Sequence, residues 1–398
     1  MTAAATRAAP IGDRLPLLVG LGLAALSLRP QVVGVGPVIR DIQVSFGISH
    51  AVAGLLITVP VLCLGIFAPV APVIAGRIGA VNAVTIASAL IAGAGIARAV
   101  APGIGGLLAF TLLVGVGMGL GNALMVIAVK ERFADHPLLV TSVYSVGIQA
   151  GATLAAAAAV PIAMWLGSWR WSLFALSLAA LAGTVAWVAL TRGARGPRPH
   201  GVLPRFPLRS CVAWVLVAMF GLMGMIFYGL TAWAPAAYTD MGFSSAFVAW
   251  LPVLCNVGTL PTTLAVGFFG GRLSRRRALV CASSAMVAAT LALAFAPSFG
   301  LAAMLVVGLA NGAMFTLTMS LPLDVADSPV DVGAVAGMML FIGYIFTAAA
   351  PSLLGAVRDA TGSFDLVLLA FPVAAACFLL LTLTLSEERL RRGVRPAA

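Results

Sequence analysis

Leu15–Ile39 reads LPLLVGLGLAALSLRPQVVGVGPVI, 25 residues with a single charge, Arg29. A helix needs about 20 consecutive apolar residues to cross a bilayer. Arg7 and Arg14 precede the run, and Leu15–Leu28 has the length of a signal-peptide core. The run does not stop there. It continues past Arg29, and eleven more runs of spanning length follow, so it reads as a retained first helix. The others lie near 50–74, 81–100, 103–128, 138–164 and 170–191, then near 211–237, 245–270, 277–297, 299–323, 331–357 and 364–385. They are too long for barrel strands and do not alternate. Helices are the remaining way to satisfy the backbone in lipid. The sequence therefore predicts an all-α membrane protein with twelve transmembrane helices.

Composition agrees. Of 398 residues, 62% are hydrophobic and 9% charged, against roughly 45–50% and about 25% in soluble domains. A soluble monomer would expose too much apolar surface with this content. The net charge of +11 would suggest nucleic acid in a soluble protein. Here the basic residues lie in short loops, so nucleic-acid binding is excluded and lipid headgroups are the partner. With the amino terminus inside, 18 of the 23 basic residues fall in inside segments. Four fall in outside loops, at Arg40, Arg98, Arg170 and Arg358, and Arg29 lies within a span. This bias predicts that both termini are cytoplasmic.

Arg192–Arg209, RGARGPRPHGVLPRFPLR, is the one long polar stretch. It divides the chain into an amino-terminal bundle (1–191), a basic linker (192–210) and a carboxy-terminal bundle with a short tail (211–398). The halves resemble each other. Pro60-Val-Leu-Cys63 recurs as Pro252-Val-Leu-Cys255, and Gly119-Leu-Gly-Asn122 as Gly308-Leu-Ala-Asn311. Ala134-Asp-His-Pro137 recurs as Ala326-Asp-Ser-Pro329, and Gly47-Ile-Ser49 as Gly242-Phe-Ser244. Four matches in order, each at the equivalent place, predict two pseudo-symmetric six-helix bundles, the layout of the major facilitator fold. The loops Ala75-Gly-Arg77-Ile-Gly79 and Gly271-Arg272-Leu-Ser-Arg275-Arg276 resemble a degraded form of that superfamily's Gly-x-x-x-Asp-Arg-x-Gly-Arg-Arg loop, with the Asp lost from both copies.

The first half carries a more specific series: Leu28-Arg29-Pro30, Gly36-Pro37, Gly54-Leu-Leu-Ile-Thr-Val-Pro60-Val-Leu, Ala68-Pro69, Gly121-Asn122, Lys130-Glu-Arg-Phe133, Tyr144 and Trp169-Arg170-Trp171. This series resembles the cyanate and 2-nitroimidazole permease family of the major facilitator superfamily. The resemblance implies transport of a small polar or anionic compound across a bacterial inner membrane; that family includes both uptake and efflux proteins. Two absences set the chain apart from proton-linked drug antiporters of the superfamily. The fourth span has no arginine, and the fifth has no Gly-Pro pair in its middle.

Arg29 is the sharpest signal. A charge near the middle of a span costs a few kcal/mol at least, and arginine cannot shed its proton to avoid that cost. All 12 carboxylates fall in loops or termini, so none is at hand as a buried partner. Arg29 is expected to meet an anionic or strongly dipolar substrate, for which its planar fork is suited. It is also placed to bond backbone carbonyls, because Pro30 lacks the N–H that the Leu26 carbonyl would receive in a helix. The polar residues Gln31, Asn122, Tyr144, Asn256 and Asn311 complete the expected substrate site, with Asn122 and Asn311 at equivalent places in the two halves. Gln149 lies five residues beyond Tyr144, off its narrow face. Trp233 and Tyr238 read as interface belt or packing. Arg77, Arg272, Asp324, Asp327 and Asp331 are expected to gate the cytoplasmic side by pairing when it closes.

His50, His136 and His200 are scattered in loops. Cys63, Cys211, Cys255, Cys281 and Cys377 have neither metal-ligand nor redox spacing and read as small buried hydrophobes. No enzyme, metal or cofactor is expected. The reading is a secondary transporter working by alternating access, and a monomer by the default of the fold. The rivals are an efflux pump for hydrophobic drugs and a non-transporting membrane sensor.

Overall fold

The computed structural model of the chain describes residues 15–132, 137–192, 206–269, 274–325 and 329–385. Twelve helical segments among them are long and apolar enough to cross a membrane, and the regular structure among the described residues is helical. The first span is not one helix. It runs as α1 (Leu15–Leu26), α2 (Pro30–Val33), a 3₁₀ turn (Gly36–Val38) and α3 (Ile39–Phe46). The break falls where Pro30 removes a donor. The second span is interrupted in the same way at Pro69, between α4 (His50–Phe67) and α5 (Ala71–Ile78). Then come α6 (Ala80–Ala99), α7 (Ile104–Arg132), α8 (Pro137–Trp165) and α9 (Trp169–Leu190). The second set is α10 (Cys211–Asp240), α11 (Ser245–Phe269), α12 (Arg275–Phe295), α13 (Gly300–Ser320), short α14 (Pro322–Val325), α15 (Pro329–Thr361) and α16 (Asp365–Thr384).

In the first half α1 packs on α8 and α9, α6 on α7 and α9, and α4 on α7. In the second, α11 packs on α13, α10 on α15 and α16, and α12 on α13 and α16. The bundles meet chiefly along α4 against α15 and α8 against α11, and α10 also touches the 3₁₀ turn and α3 of the first span. The sequence repeat has a physical counterpart. A Cβ on Gly119 would stand 2.3 Å from the Cys63 carbonyl oxygen, and one on Gly308 would stand 2.1 Å from that of Cys255. The same glycine therefore lets the second and fourth spans of each half touch backbone to backbone. Most of the Ala134–Pro137 and Ala326–Pro329 pair lies outside the described residues.

The end of the molecule opposite the linker is sealed. Gly54 abuts the Pro351 carbonyl and Gly355 abuts that of His50, across α4 and α15. Asp240 at the end of α10 takes Arg40 of α3 at 3.3 Å and Arg358 of α15 at 3.2 Å. Asp359 of α15 caps the start of α4, accepting from the His50 and Ala51 backbone N–H groups at 3.0 and 2.9 Å and lying 2.7 Å from His50 Nδ1. Trp233 and Tyr238 are fully buried here. Trp233 donates to the Pro351 carbonyl at 2.8 Å and Tyr238 to that of Leu293 at 3.3 Å, so both are packing residues. The cysteines divide. Cys63 and Cys255 are buried, whereas Cys211, Cys281 and Cys377 are exposed, because an apolar span in lipid has no need to turn every small residue inward.

Candidate functional site

A cavity of about 210 Å³ lies between the bundles. Its wall draws on the linker-end halves of α4, α7, α8, α11 and α13, together with Arg29 and the middle of α10 and α15. Among the described residues, Arg29 is the one charged residue of that wall. It stands in the gap between α1 and α2, where the helix stops, and its guanidinium is thereby aimed sideways into the cavity. Its Nη1 donates to Gln149 Oε1 at 2.9 Å, and its carbon lies 6.0 Å from the centre of the Phe227 ring. Tyr144, Tyr228 and Tyr344 surround it, and Phe220, Phe227 and Phe315 complete an aromatic wall. Among the described residues, no carboxylate or histidine joins Arg29 in this wall.

Of the residues expected at the site, Arg29, Asn122, Tyr144 and Asn311 line the cavity. Asn122 and Asn311 enter it from the equivalent helices α7 and α13. The Asn311 side-chain oxygen is buried with no hydrogen-bond partner among the described residues. Gln31 and Asn256 are not brought there. Gln31 is fully buried inside the first bundle and holds Ser177 and Arg98. Successive helical residues are about 100° apart, so a residue two beyond Arg29 turns away from the face Arg29 occupies. Asn256 is fully buried and donates to the Pro252 carbonyl of its own helix at 2.8 Å.

Sequence reasoning missed two members. Gln149 and Thr259 both line the cavity, and Gln149 donates to the Thr259 hydroxyl. Gln149 carried a signal as a lone polar residue within a span. Its five-residue distance from Tyr144 did not exclude it, because the cavity is wider than one helix face. Thr259 carried none, since a threonine in a membrane helix usually bonds its own backbone. Arg98 is a third surprise. It was counted among the outside loops, yet it sits in the last turn of α6, fully buried. Its Nη2 reaches the Gln31 carbonyl at 3.1 Å and Gln31 Oε1 at 2.7 Å.

Three of the five residues expected to form the gate, Arg77, Asp324 and Asp331, are among the described residues. Arg272 and Asp327 lie outside the described residues. Arg275 pairs with Asp324, but both belong to the second bundle, so this contact does not join the halves. Arg77 is exposed at the end of α5, and Asp331 is in the first turn of α15. Among the described residues, Arg40 reaches Asp240 and His50 reaches Asp359 between the bundles at the opposite end. That end is closed, and the cavity lies toward the linker end.

Two bundles of membrane helices around a central polar spot define a membrane transporter. The family model of the Major Facilitator Superfamily matches residues 17–351, and the chain belongs to that superfamily. It is 28% identical over 366 residues to the 2-nitroimidazole transporter of Escherichia coli (strain K12), covering 90% of this chain and 92% of that one. It is also 28% identical to the cyanate transport protein CynX of the same organism, covering 87% and 91%. An uncharacterized transporter of Bacillus subtilis (strain 168), YycB, is 26% identical with 88% of each chain covered. Two solved structures share the fold. One is a D-xylose–proton symporter, with TM-score 0.71 and 15% identity over 96% of this chain and 99% of that one. The other is a bacterial homolog of the human lysosomal transporter Spinster, inward-facing and unoccupied, with TM-score 0.68 and 16% identity over 97% and 95%. The protein is thus a multi-pass transporter and not an enzyme.

Proposed function

We propose that the protein moves a small anion or azole-type compound across a bacterial inner membrane by alternating access, with Arg29 as the main substrate contact and both termini cytoplasmic. The observation that carries this reading is a guanidinium in a cavity whose wall, among the described residues, offers it no carboxylate. A substrate bearing negative charge or a strong dipole supplies the missing partner. The relatives named for 2-nitroimidazole and cyanate transport point the same way. Between those two chemistries, the aromatic wall favours a planar azole, which stacks on rings and offers acceptors to Arg29 at once. The cavity volume of about 210 Å³ falls below the roughly 300–1,000 Å³ of sites for drug-sized ligands, which argues against a pump for bulky hydrophobic drugs. Among the described residues the wall has no acid or histidine, so coupling through the substrate's own proton, anion exchange or uniport fits better than a protein-borne proton carrier.

The test is calorimetric binding on purified wild type and Arg29→Ala with 2-nitroimidazole, cyanate, nitrate, small carboxylates and neutral controls. An azole or anion is expected to bind wild type, and Arg29→Ala to lose at least tenfold in affinity. A neutral hydrophobic control that binds both forms equally would replace this reading with that of the drug pump.

A further inference from the structure

The contacts of Arg29 form a chain that crosses from one bundle to the other. Arg29 donates to Gln149 Oε1, and Gln149 Nε2 donates to Thr259 Oγ1. The Thr259 hydroxyl in turn donates to the Asn256 carbonyl at 2.6 Å. Arg29 and Gln149 belong to the first bundle and Thr259 to the second. Each hydrogen bond runs in one direction along the chain, so the Gln149 carboxamide uses its acceptor on Arg29 and its donor on Thr259. Immediately beyond it toward the sealed end, Val33, Ala152 and Ala156 of the first bundle pack on Val253 of the second. The bond between Gln149 and Thr259 is therefore the polar clasp at the cavity side of the α8–α11 seam.

We propose that Gln149 holds the substrate's place on Arg29, and that substrate binding releases this clasp. This inference rests on the reading of Arg29 as the substrate contact. Gln149 presents a planar C=O to the guanidinium, as an anion or an azole nitrogen would. An anionic substrate takes Nη1, since it adds to the hydrogen bond a charge–charge attraction that the neutral carboxamide lacks. Once displaced, the carboxamide is no longer steered toward Thr259, and the seam between the bundles loses its tie. Without substrate the tie keeps the opposite end shut. Arrival of substrate at Arg29 is thereby linked to permission for the bundles to rock, because the ligand binds the released state better than the clasped one.

The experiment uses the full chain with spin labels at Val44→Cys and Ala246→Cys. Both positions are exposed at the sealed end, one in each bundle. The exposed Cys211, Cys281 and Cys377 are replaced by Ala. Inter-label distances are measured without ligand and with 2-nitroimidazole. Thr259→Val removes the acceptor with little change of shape, Thr259→Ser keeps it, and Gln149→Leu removes the bridge. Thr259→Val and Gln149→Leu are expected to add a longer-distance population in the absence of ligand, at least threefold above wild type, while Thr259→Ser matches wild type. Gln149→Leu is also expected to bind 2-nitroimidazole several-fold more tightly, having no carboxamide to displace. Ligand-free distances in Thr259→Val and Gln149→Leu that superimpose on wild type overturn the proposal, and they do so whether or not the probe binds. If Arg29→Ala loses binding while those distances stay fixed, the exchange alone fails. If Arg29→Ala binds like wild type, the substrate reading fails and takes the exchange with it.

Discussion

Arg98 holds Gln31 by its backbone and its side chain at once, and the reason lies in the broken helix. In a continuous helix the Gln31 carbonyl would accept from the Val35 N–H. That N–H instead bonds Val32 at 3.1 Å, so Gln31 is left with an orphan carbonyl, which Arg98 satisfies. Removing one partner of a buried hydrogen bond costs about 1–3 kcal/mol, whereas removing both is nearly neutral. Arg98→Met is therefore expected to lower stability by about 1–2 kcal/mol, read as a lower midpoint of thermal unfolding. Adding Gln31→Leu to it removes the side-chain half of the problem and should recover part of that loss. A double variant as unstable as the sum of the two singles would show that the two residues are not coupled. The contrast with Arg29 explains what the sequence could reveal. A charge in the middle of an apolar run has no loop to belong to, and it announces itself. Arg98 lies four residues before Pro102-Gly103, where a loop arginine and a buried strut look the same. Side-chain direction decides between them, and that depends on packing partners 67 residues apart in the chain.

At the scale of elements, the glycines separate contact from lipid exposure. A Cβ at Gly119 or Gly308 would collide with a carbonyl oxygen of the neighbouring span, and backbone cannot swing aside as a side chain can. Gly119→Ala and Gly308→Ala are each expected to destabilise by about 1–3 kcal/mol, the usual cost of overpacking, and by similar amounts because the contacts are equivalent. Gly93, inside α6, has nothing within 4 Å of the added atom. Gly93→Ala should be neutral, or stabilising by up to about 1 kcal/mol from helix propensity. Thermal unfolding of the three variants side by side checks the claim, and equal effects at Gly93 and Gly119 would refute it. The helices and the repeat were legible because length in lipid and order along the chain are one-dimensional facts. The break at Pro30 was legible too, from a missing donor. The faces were less so. Asn122 and Asn311 could be placed through the repeat, whereas Gln31 and Asn256 turned inward to satisfy their own bundle, and membrane helices with little amphipathic contrast give few cues to direction.

At the scale of the whole molecule, the chain is held with one end shut, and acids at that end add to the packing of α4 on α15. The basic loops drew attention to the linker end, so the gate was expected there. Among the described residues, Asp240 and Asp359 of the opposite end each bridge the two halves. Asp359 is the stronger case, because it caps two backbone N–H groups of α4 from the other bundle. Those N–H groups have no helical acceptor of their own, so only closure of this end satisfies them with protein. Asp359→Ala removes hydrogen bonds to a charged acceptor, worth about 1.5–3 kcal/mol when sheltered. Exposure to water at this end reduces that to about 1 kcal/mol. A shift of that size changes the ratio of open to closed forms about fivefold, since 1.4 kcal/mol is a factor of ten. Asp359→Ala labelled at positions 44 and 246 should show that enrichment of the long-distance form without ligand, and Asp240→Asn a smaller one. The clasp at Gln149 and the cap at Asp359 lie at two depths of one closed half. If the bundles move as rigid bodies, opening must break both together, and Asp359→Ala combined with Thr259→Val should then open the end by the product of the two separate factors. A combined effect no greater than the larger single one would mean that the two contacts guard different motions.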